Sequence, residues 1–518
     1  MTETPAPPVP AGVGLRSERG PVLAALMASI ALVALDSTII ATAVPSIVRQ
    51  LGGFSQFPWL FSVYLLTQAV TVPLYGKFAD LRGRRPVLFF GIGVFLLGSV
   101  LCGVAWSMPA LIAFRGLQGI GAGAVQPMTI TIVGDLYSVP ERARVQGYMA
   151  SVWAVASVLG PTLGGVFAQY LSWRWIFFVN LPIGALATWL LWRHFAENVT
   201  RGRHRIDFTG AALLTTGCSL VILGLLEGGV AWAWGSWPSA VVFVVGAVLL
   251  ISFVQVERRA VEPVLPLWVF RPRVLVGGNL AAAAVGALLI ALSSYVPTYV
   301  QGVLGTGALV AGLALAALTI GWPLAAAYVG RVYVRLGFRD TALIGSAVVL
   351  LGAVLCMLLQ STSRVWQVAA ACFVVGVGLG LTNVPTLVAV QSVVGWEHRG
   401  VVTATNMFTR ALGSAVGVAI FGAVANATLA NRFAHPPPGV AGHLPPSVDA
   451  ASEALGSNAG AGSGVALTPV QAFVRTALYD ATHHVFVGLI AIAVAMGAAV
   501  LLIPRRTHAL DVDALTAR

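Results

Sequence analysis

Long apolar stretches joined by short charged turns constrain this chain more than any other feature. A segment of about 20 apolar residues crosses the hydrocarbon core of a bilayer, and inside that core a helix satisfies all of its backbone polar groups. The apolar runs predict fourteen such spans, at approximately 22–44, 58–75, 87–106, 109–133, 146–168, 173–193, 208–228, 238–256, 274–299, 308–329, 341–359, 366–390, 400–425 and 484–504. The expected fold class is therefore an all-α polytopic membrane protein. Only 9% of the 518 residues are charged, against 58% hydrophobic, and mean hydropathy is +0.88; soluble domains are far more polar.

The net charge of +12 raises the question of nucleic acid. Lys and Arg, however, fall in alternate short turns rather than on one amphipathic face. One set of turns holds Lys77, Arg82, Arg84 and Arg85, then Arg142 and Arg144, Arg201 to Arg205, Arg258 to Arg273, Arg331 to Arg339, and Arg399. The opposite set holds little beyond Arg49, Arg364, Arg432 and Arg475. By the positive-inside rule the first set, and both termini with it, face the cytoplasm of a plasma membrane. No nucleic-acid partner is expected, and the partners are a lipid bilayer and a small molecule. Cys102, Cys218, Cys356 and Cys372 all lie in apolar spans with no metal spacing, so neither a disulfide frame nor a metal site is expected. Met1 to about Gly20 is polar and Pro-rich, unlike a cleavable signal.

The densest charge sits at Gly76-Lys77-Phe78-Ala79-Asp80-Leu81-Arg82-Gly83-Arg84-Arg85-Pro86, between two spans. A second copy of its spacing runs from Gly330 through Gly337 to Arg339, with Val334 where the first has Asp80. Three further segments stand out. Asp36 lies within the first span, where an ionisable group is costly unless paired or hydrated and where burial favours its neutral form. Arg115, in Arg115-Gly116-Leu117-Gln118-Gly119, lies over a turn into the fourth span and needs a cavity or an acid; Asp36 is its plausible partner. Gly160-Pro161-Thr162-Leu163-Gly164-Gly165 removes a backbone hydrogen bond and several side chains from the fifth span, so that helix should bend and pack closely.

These segments resemble the major facilitator superfamily of transporters. The charged turn is similar to its G-x-x-x-D-R-x-G-R-R loop through Gly76, Asp80, Gly83, Arg84 and Arg85, with Leu81 and Arg82 in inverted order. The Arg115 run is similar to its R-G-x-Q-G motif, and Gly160, Pro161, Gly164 and Gly165 to its G-P-x-x-G-G antiporter motif. The resemblance implies two six-helix bundles, and placing the two loop copies on equivalent turns leaves spans seven and eight as an insert. That layout resembles the fourteen-spanner drug:proton antiporters of EmrB/QacA type. Expected divisions are a tail at 1–21, a bundle at 22–193, an insert with its flanking loops at 194–273, a bundle at 274–504 and a tail at 505–518. The second bundle includes an extracytoplasmic loop at 426–482.

The resemblance further implies export of amphiphilic or cationic drugs in exchange for protons, with no cofactor beyond the coupling proton. Asp36 would accept the proton, in competition with substrate, and Arg115 would modulate it. The charged turn would act as a gate latch, its arginines pairing across the seam between bundles. A dedicated exporter of one endogenous metabolite, such as an antibiotic, siderophore or lipid, fits the same motifs, and a non-transporting membrane sensor is the third reading. Tyr64, Gln118, Gln126, Trp153 and Asn383 are candidates for the substrate cavity, with helix packing the other reading for each. Glu227 reads as a rim carboxylate, and Arg410 as a structural cation near the charged turn. No P-loop is present, no enzyme is expected, and a monomer is.

Overall fold

A computed structural model describes residues 14–137, 139–197, 207–260, 263–395, 399–437, 440 and 469–505. Helices make up its regular structure, and no β-strand occurs among the described residues. In chain order they are α1 (Gly20–Leu51), α2 (Phe57–Arg82), α3 (Arg84–Gly103), α4 (Met108–Leu136), α5 (Val139–Tyr170), α6 (Trp175–Phe178) and α7 (Asn180–His194). Then come α8 (Phe208–Glu227), α9 (Trp237–Glu257), α10 (Arg273–Thr298), α11 (Ala308–Leu336), α12 (Phe338–Met357), α13 (Val365–Ser392), α14 (Arg399–Ala434) and α15 (Pro469–Leu501). Among the described residues 13 helices are long and apolar enough to cross a membrane, which makes this a multi-pass membrane protein. At 29 residues α4 is long enough but stands outside that set, since Arg115, Gln118 and Gln126 reduce its apolarity.

The packing repeats itself. In the first half α1 lies against α5 and α7, and α4 against α2 and α3; in the second, α10 lies against α14 and α15, and α13 against α11 and α12. The repeated turns share one backbone conformation, with Gly83 at φ 96°, ψ 157° and Gly337 at φ 86°, ψ 165°. That region is open to glycine alone, so each glycine ends one helix and starts the next in a single residue.

The two bundles meet along α5–α11 and α2–α14. Their described hydrogen bonds lie towards the helix ends remote from Gly20 and Leu501. Asn426 Nδ2 donates to the Ser55 carbonyl (2.9 Å), Gln301 Nε2 to the Thr42 carbonyl (3.2 Å), Ser62 Oγ to the Ala415 carbonyl (3.2 Å), and the Leu309 amide to Gln169 Oε1 (3.1 Å). Phe57 and Tyr295 add an edge-to-face contact at 5.5 Å. The insert α8–α9 docks beside the α2–α14 seam, where Leu214, Cys218, Ile222 and Leu226 pack against Leu66, Ala69, Val70 and Phe408.

Two expectations change. The stretch at 426–482 is not a loop throughout: α14 continues to Ala434 and α15 starts at Pro469, ahead of the expected 484. These helices continue past the apolar band because their side chains find partners, Arg432 with Asp480 at 2.6 Å and the Phe433 ring with that of Phe473 at 5.7 Å. The sixth span is broken after α6, where Pro182 has no N–H for the Phe178 carbonyl, so a fresh helix start falls at Asn180.

Candidate functional site

Asp36 and Arg115 form an ion pair inside the first bundle. Arg115 Nη1 lies 2.7 Å from Asp36 Oδ2, and each side chain is 1% exposed. Asp36 Oδ1 accepts from Gln118 Nε2 (2.8 Å) and from Asn180 Nδ2 (2.9 Å). Ser99 Oγ bridges behind, accepting from Gln118 Nε2 at 2.8 Å and Asn180 Nδ2 at 3.3 Å. Arg115 also donates to Gln118 Oε1 (2.6 Å) and, through Nε, to the Leu60 carbonyl (3.2 Å). Its guanidinium lies 4.0 Å from the Tyr64 ring centroid and 6.0 Å from that of Phe177.

Local sequence brings these groups together. Ser107 caps α4 by accepting from the Ala110 amide, and Pro109 fits the first turn, which sets the start of the helix carrying Arg115 and Gln118. A Cβ at Gly98 would collide with the Gln118 backbone, and one at Gly119 with the Tyr64 carbonyl and Thr67. Both glycines therefore let α3 and α2 close upon α4. The break at Pro182 sets the N-terminus of α7 beside the Asp36 carboxylate, where the helix dipole favours negative charge.

Chemically, the cluster is a neutral pair whose anion accepts three donors. Taking both ions out of water is costly, and the extra hydrogen bonds offset that cost. A proton arriving at Asp36 meets a carboxylate ringed by donors, so one of them must turn away. Asn180 is suited to do so, because its Oδ1 is buried without a partner and can accept from a protonated carboxyl once the amide turns. Competition between substrate and proton at Asp36 itself does not fit this arrangement, since Asp36 faces α3, α4 and α7 rather than the seam.

The structure thus gathers Asp36, Arg115, Gln118 and Tyr64, the last two as pair partners instead of cavity lining. Ser99, Cys102 (3.9 Å from Gln118 Oε1) and the Leu60 carbonyl were not singled out from sequence. An isolated Ser in an apolar span, one residue after a glycine, was the available signal. Trp153 is half-buried against the Ala34, Leu35 and Ala156 cluster and makes no hydrogen bond to the pair among the described residues. Gln126 and Asn383 are half-buried on α4 and α13 and are not drawn to the pair.

The glycine-proline run of α5 serves the seam. A Cβ at Gly160 would strike Thr38 Oγ1, one at Gly164 the Ile39 carbonyl, and one at Gly165 the backbone of Leu309 across the bundle boundary. The Pro161 carbonyl accepts from Thr42 Oγ1 at 3.2 Å. Close packing is therefore as expected, against α1 and α11 together.

The charged turn pairs within its own bundle. The Arg84 and Arg85 amides each donate to Glu197 at 2.8 Å, placing a carboxylate on the α3 N-terminus. Arg84 Nε lies 2.7 Å from Asp135 Oδ2 at the end of α4, close but without hydrogen-bond alignment, and Arg85 donates to the Trp192 carbonyl at 3.0 Å. None of these partners belongs to the second bundle, so the expected pairing across the seam is replaced by a clamp on α3. The side chains of Lys77 and Asp80 lie outside the described residues. Gly76 has open space around it. Glu227 accepts from Trp59 Nε1 at 2.8 Å and ties α8 to α2.

A profile of the Major Facilitator Superfamily matches residues 26–204 and 194–418. The chain belongs to that superfamily. Among its superfamily relatives, the multidrug transporter protein MdtP of Bacillus subtilis is 34% identical over 81% of this chain and 77% of its own. Multidrug resistance protein 3 of the same organism is 34% identical over 80% of each. The efflux pump dotC of Dothistroma septosporum is 30% identical over 77% of this chain and 70% of its own. Solved major facilitator structures share the fold: a bacterial homologue of the human lysosomal transporter Spinster has a TM-score of 0.63 at 16% identity, covering 94% of this chain and 98% of that one. A D-xylose–proton symporter has 0.56 at 13%, covering 78% and 90%. Against that superfamily fold, the ion pair sits in the first bundle and the glycine run on the seam the bundles share.

Proposed function

We propose that this protein exports amphiphilic small molecules from the cell by exchanging them for protons. Relatives named as multidrug transporters over four-fifths of the chain support drug efflux. One observation carries the coupling: Asp36, the ionisable group in the middle of α1, is sealed against Arg115 and accepts from Nδ2 of Asn180, whose own Oδ1 is buried without a partner. With α4 counted as a span, the layout is six helices, two inserted, and six, with both termini in the cytoplasm by the arginine distribution.

In this reading protonation of Asp36 removes the charge that holds Arg115 and turns Asn180. Both changes reach the helix contacts that α1 makes with α5 through Thr38, Thr42 and the glycine run. Substrate in the cleft and proton at Asp36 then favour opposite arrangements of the α5–α11 seam, which is the requirement for exchange. Reconstituted vesicles test it: ethidium and 4-(1-naphthyl)butyrate serve as probes, and proton movement on their addition is compared between wild type and Asp36→Asn.

A further inference from the structure

One charge in the membrane interior is left out of the pairings above. Arg410 lies 11 residues after Arg399, the start of α14, or about 16 Å along the helix at 1.5 Å per residue. Its carbonyl accepts from Ser414 Oγ at 3.1 Å, but unlike Arg115 its guanidinium has no hydrogen bond, ion pair or aromatic ring among the described residues, yet it is only partly exposed. Phe408, Leu412 and Ala419 pack against α2 and α8, and Gly413 and Gly417 against Ala283 and Ala287 of α10. Gly413 and Gly417 are three and seven residues past Arg410, and Gly286 of α10 packs against the Arg410 carbonyl, so Arg410 stands on the side of α14 that faces α10.

Among the described residues, no carboxylate of the second bundle is placed to answer it. From Arg273 to Arg339, and again from Thr341 to Ala434, Glu397 is the single acidic residue in the sequence. In the first bundle Asp36 is already committed to Arg115, and the side chain of Asp80, in the turn beside which Arg410 is expected, lies outside the described residues. A second, independent observation lies one turn away. Asn406, four residues before Arg410 and so on the same face, donates to Asn279 Oδ1 at 3.2 Å and to the Gly278 carbonyl at 3.2 Å. Asn279 Nδ2 is left buried with no partner. Helix side chains lean towards the N-terminus, so the Arg410 guanidinium reaches back towards this amide. A guanidinium without a described partner and an orphaned amide donor therefore lie on the same side of α14, one helical turn apart.

We infer that Arg410 and Asn279 form an anion-recognition subsite, and that the compounds this protein carries bear a carboxylate or similar oxyanion on an apolar body. Guanidinium and amide donors match the planar acceptors of a carboxylate, and a partly dehydrated setting strengthens the bond. A cationic amphiphile would meet repulsion at the same place. The inference narrows the substrate class of the export reading and rests on it for its physiological meaning.

The test is binding, which needs no proton movement. Full-length protein in lipid nanodiscs is titrated calorimetrically with 4-(1-naphthyl)butyrate and with 4-(1-naphthyl)butylamine, subtracting empty nanodiscs. A charge-assisted bond of ordinary strength makes the carboxylate bind about tenfold tighter in wild type. Arg410→Gln should bring the ratio towards one, Arg410→Lys should keep part of it, and Asn279→Ala should lower it with the arginine in place. Arg410→Gln should also leave the unfolding temperature unchanged or raised, which a structural arginine would not. Equal or tighter binding of the amine, no binding of either probe, or a ratio unmoved in both Arg410→Gln and Asn279→Ala would overturn the inference. A carboxylate preference in protein that moves no protons would sink the exchange reading and leave the subsite standing.

Discussion

Arg115 Nη1 and Asp36 Oδ2 are 79 residues apart in sequence and 2.7 Å apart in space, with neither side chain more than 1% exposed. Neither ion is tolerable there alone. Replacing Arg115 by Ala leaves the carboxylate ringed by amides without its cation, and breaking a buried pair in this way costs about 3–5 kcal/mol. Unfolding in detergent should show that loss for Arg115→Ala, and the double change Asp36→Asn with Arg115→Gln should recover most of it. Additive losses in the double variant would mean the two groups are not coupled.

Tyr64 separates a covering role from a substrate-binding one. Its ring lies 4.0 Å from the Arg115 guanidinium, while its buried hydroxyl has no partner. Tyr64→Phe should therefore be neutral or slightly stabilising. Tyr64→Leu should lose the cation–π contact, about 0.5–2 kcal/mol, on the same thermal assay. A loss in Phe equal to that in Leu would show that the hydroxyl has a partner after all.

Most of the architecture was legible because membrane spans are written in composition, and the repeat in spacing. Gly83 and Gly337 mark equivalent turns in sequence and share one backbone conformation in space. The pairing of Asp36 with Arg115 was legible too, since two opposite charges in apolar spans have few other remedies. What sequence did not disclose is direction. Nothing in the α1 segment says that Asp36 points at α3, α4 and α7 instead of the seam, because the helix is buried on nearly every side. For Gln118 and Tyr64 sequence left cavity lining and helix packing both open for the same reason, and the structure places them on the ion pair. The helix ends past 426 were hidden by polar residues whose partners, such as Asp480 for Arg432, are distant in the chain.

The glycines of α5 should be intolerant in proportion to what they touch. Gly164→Val forces a side chain into the Ile39 carbonyl and Thr42 Oγ1, and overpacking of this kind costs about 1–3 kcal/mol. Transport by Gly164→Val and Gly165→Val in vesicles should fall together with stability. Gly76→Ala, which meets open space, should be silent in both assays.

Gly83→Ala and Gly337→Ala should cost similar amounts, about 1–3 kcal/mol each, because both residues hold a backbone conformation closed to alanine. Chemical denaturation of the two variants reads this directly. A large loss at one and none at the other would mean that the repeated turns are not equivalent in energy.

Glu197 receives two amides at the start of α3. Glu197→Ala should lower stability by about 1 kcal/mol, with Glu197→Gln falling between, and the effect should shrink in high salt. Hydrogen exchange at the Arg84 and Arg85 amides is the sensitive readout, and unchanged protection there would contradict the clamp.

The central claim is that a proton taken up at Asp36 drives export. Its most direct test is the pH change inside proteoliposomes when ethidium or 4-(1-naphthyl)butyrate is added, with wild type and Asp36→Asn reconstituted at equal density. The account predicts probe-evoked proton movement in wild type with at least one of the two compounds, and none in Asp36→Asn. Equal movement through both proteins would contradict it and make Asp36 a packing residue.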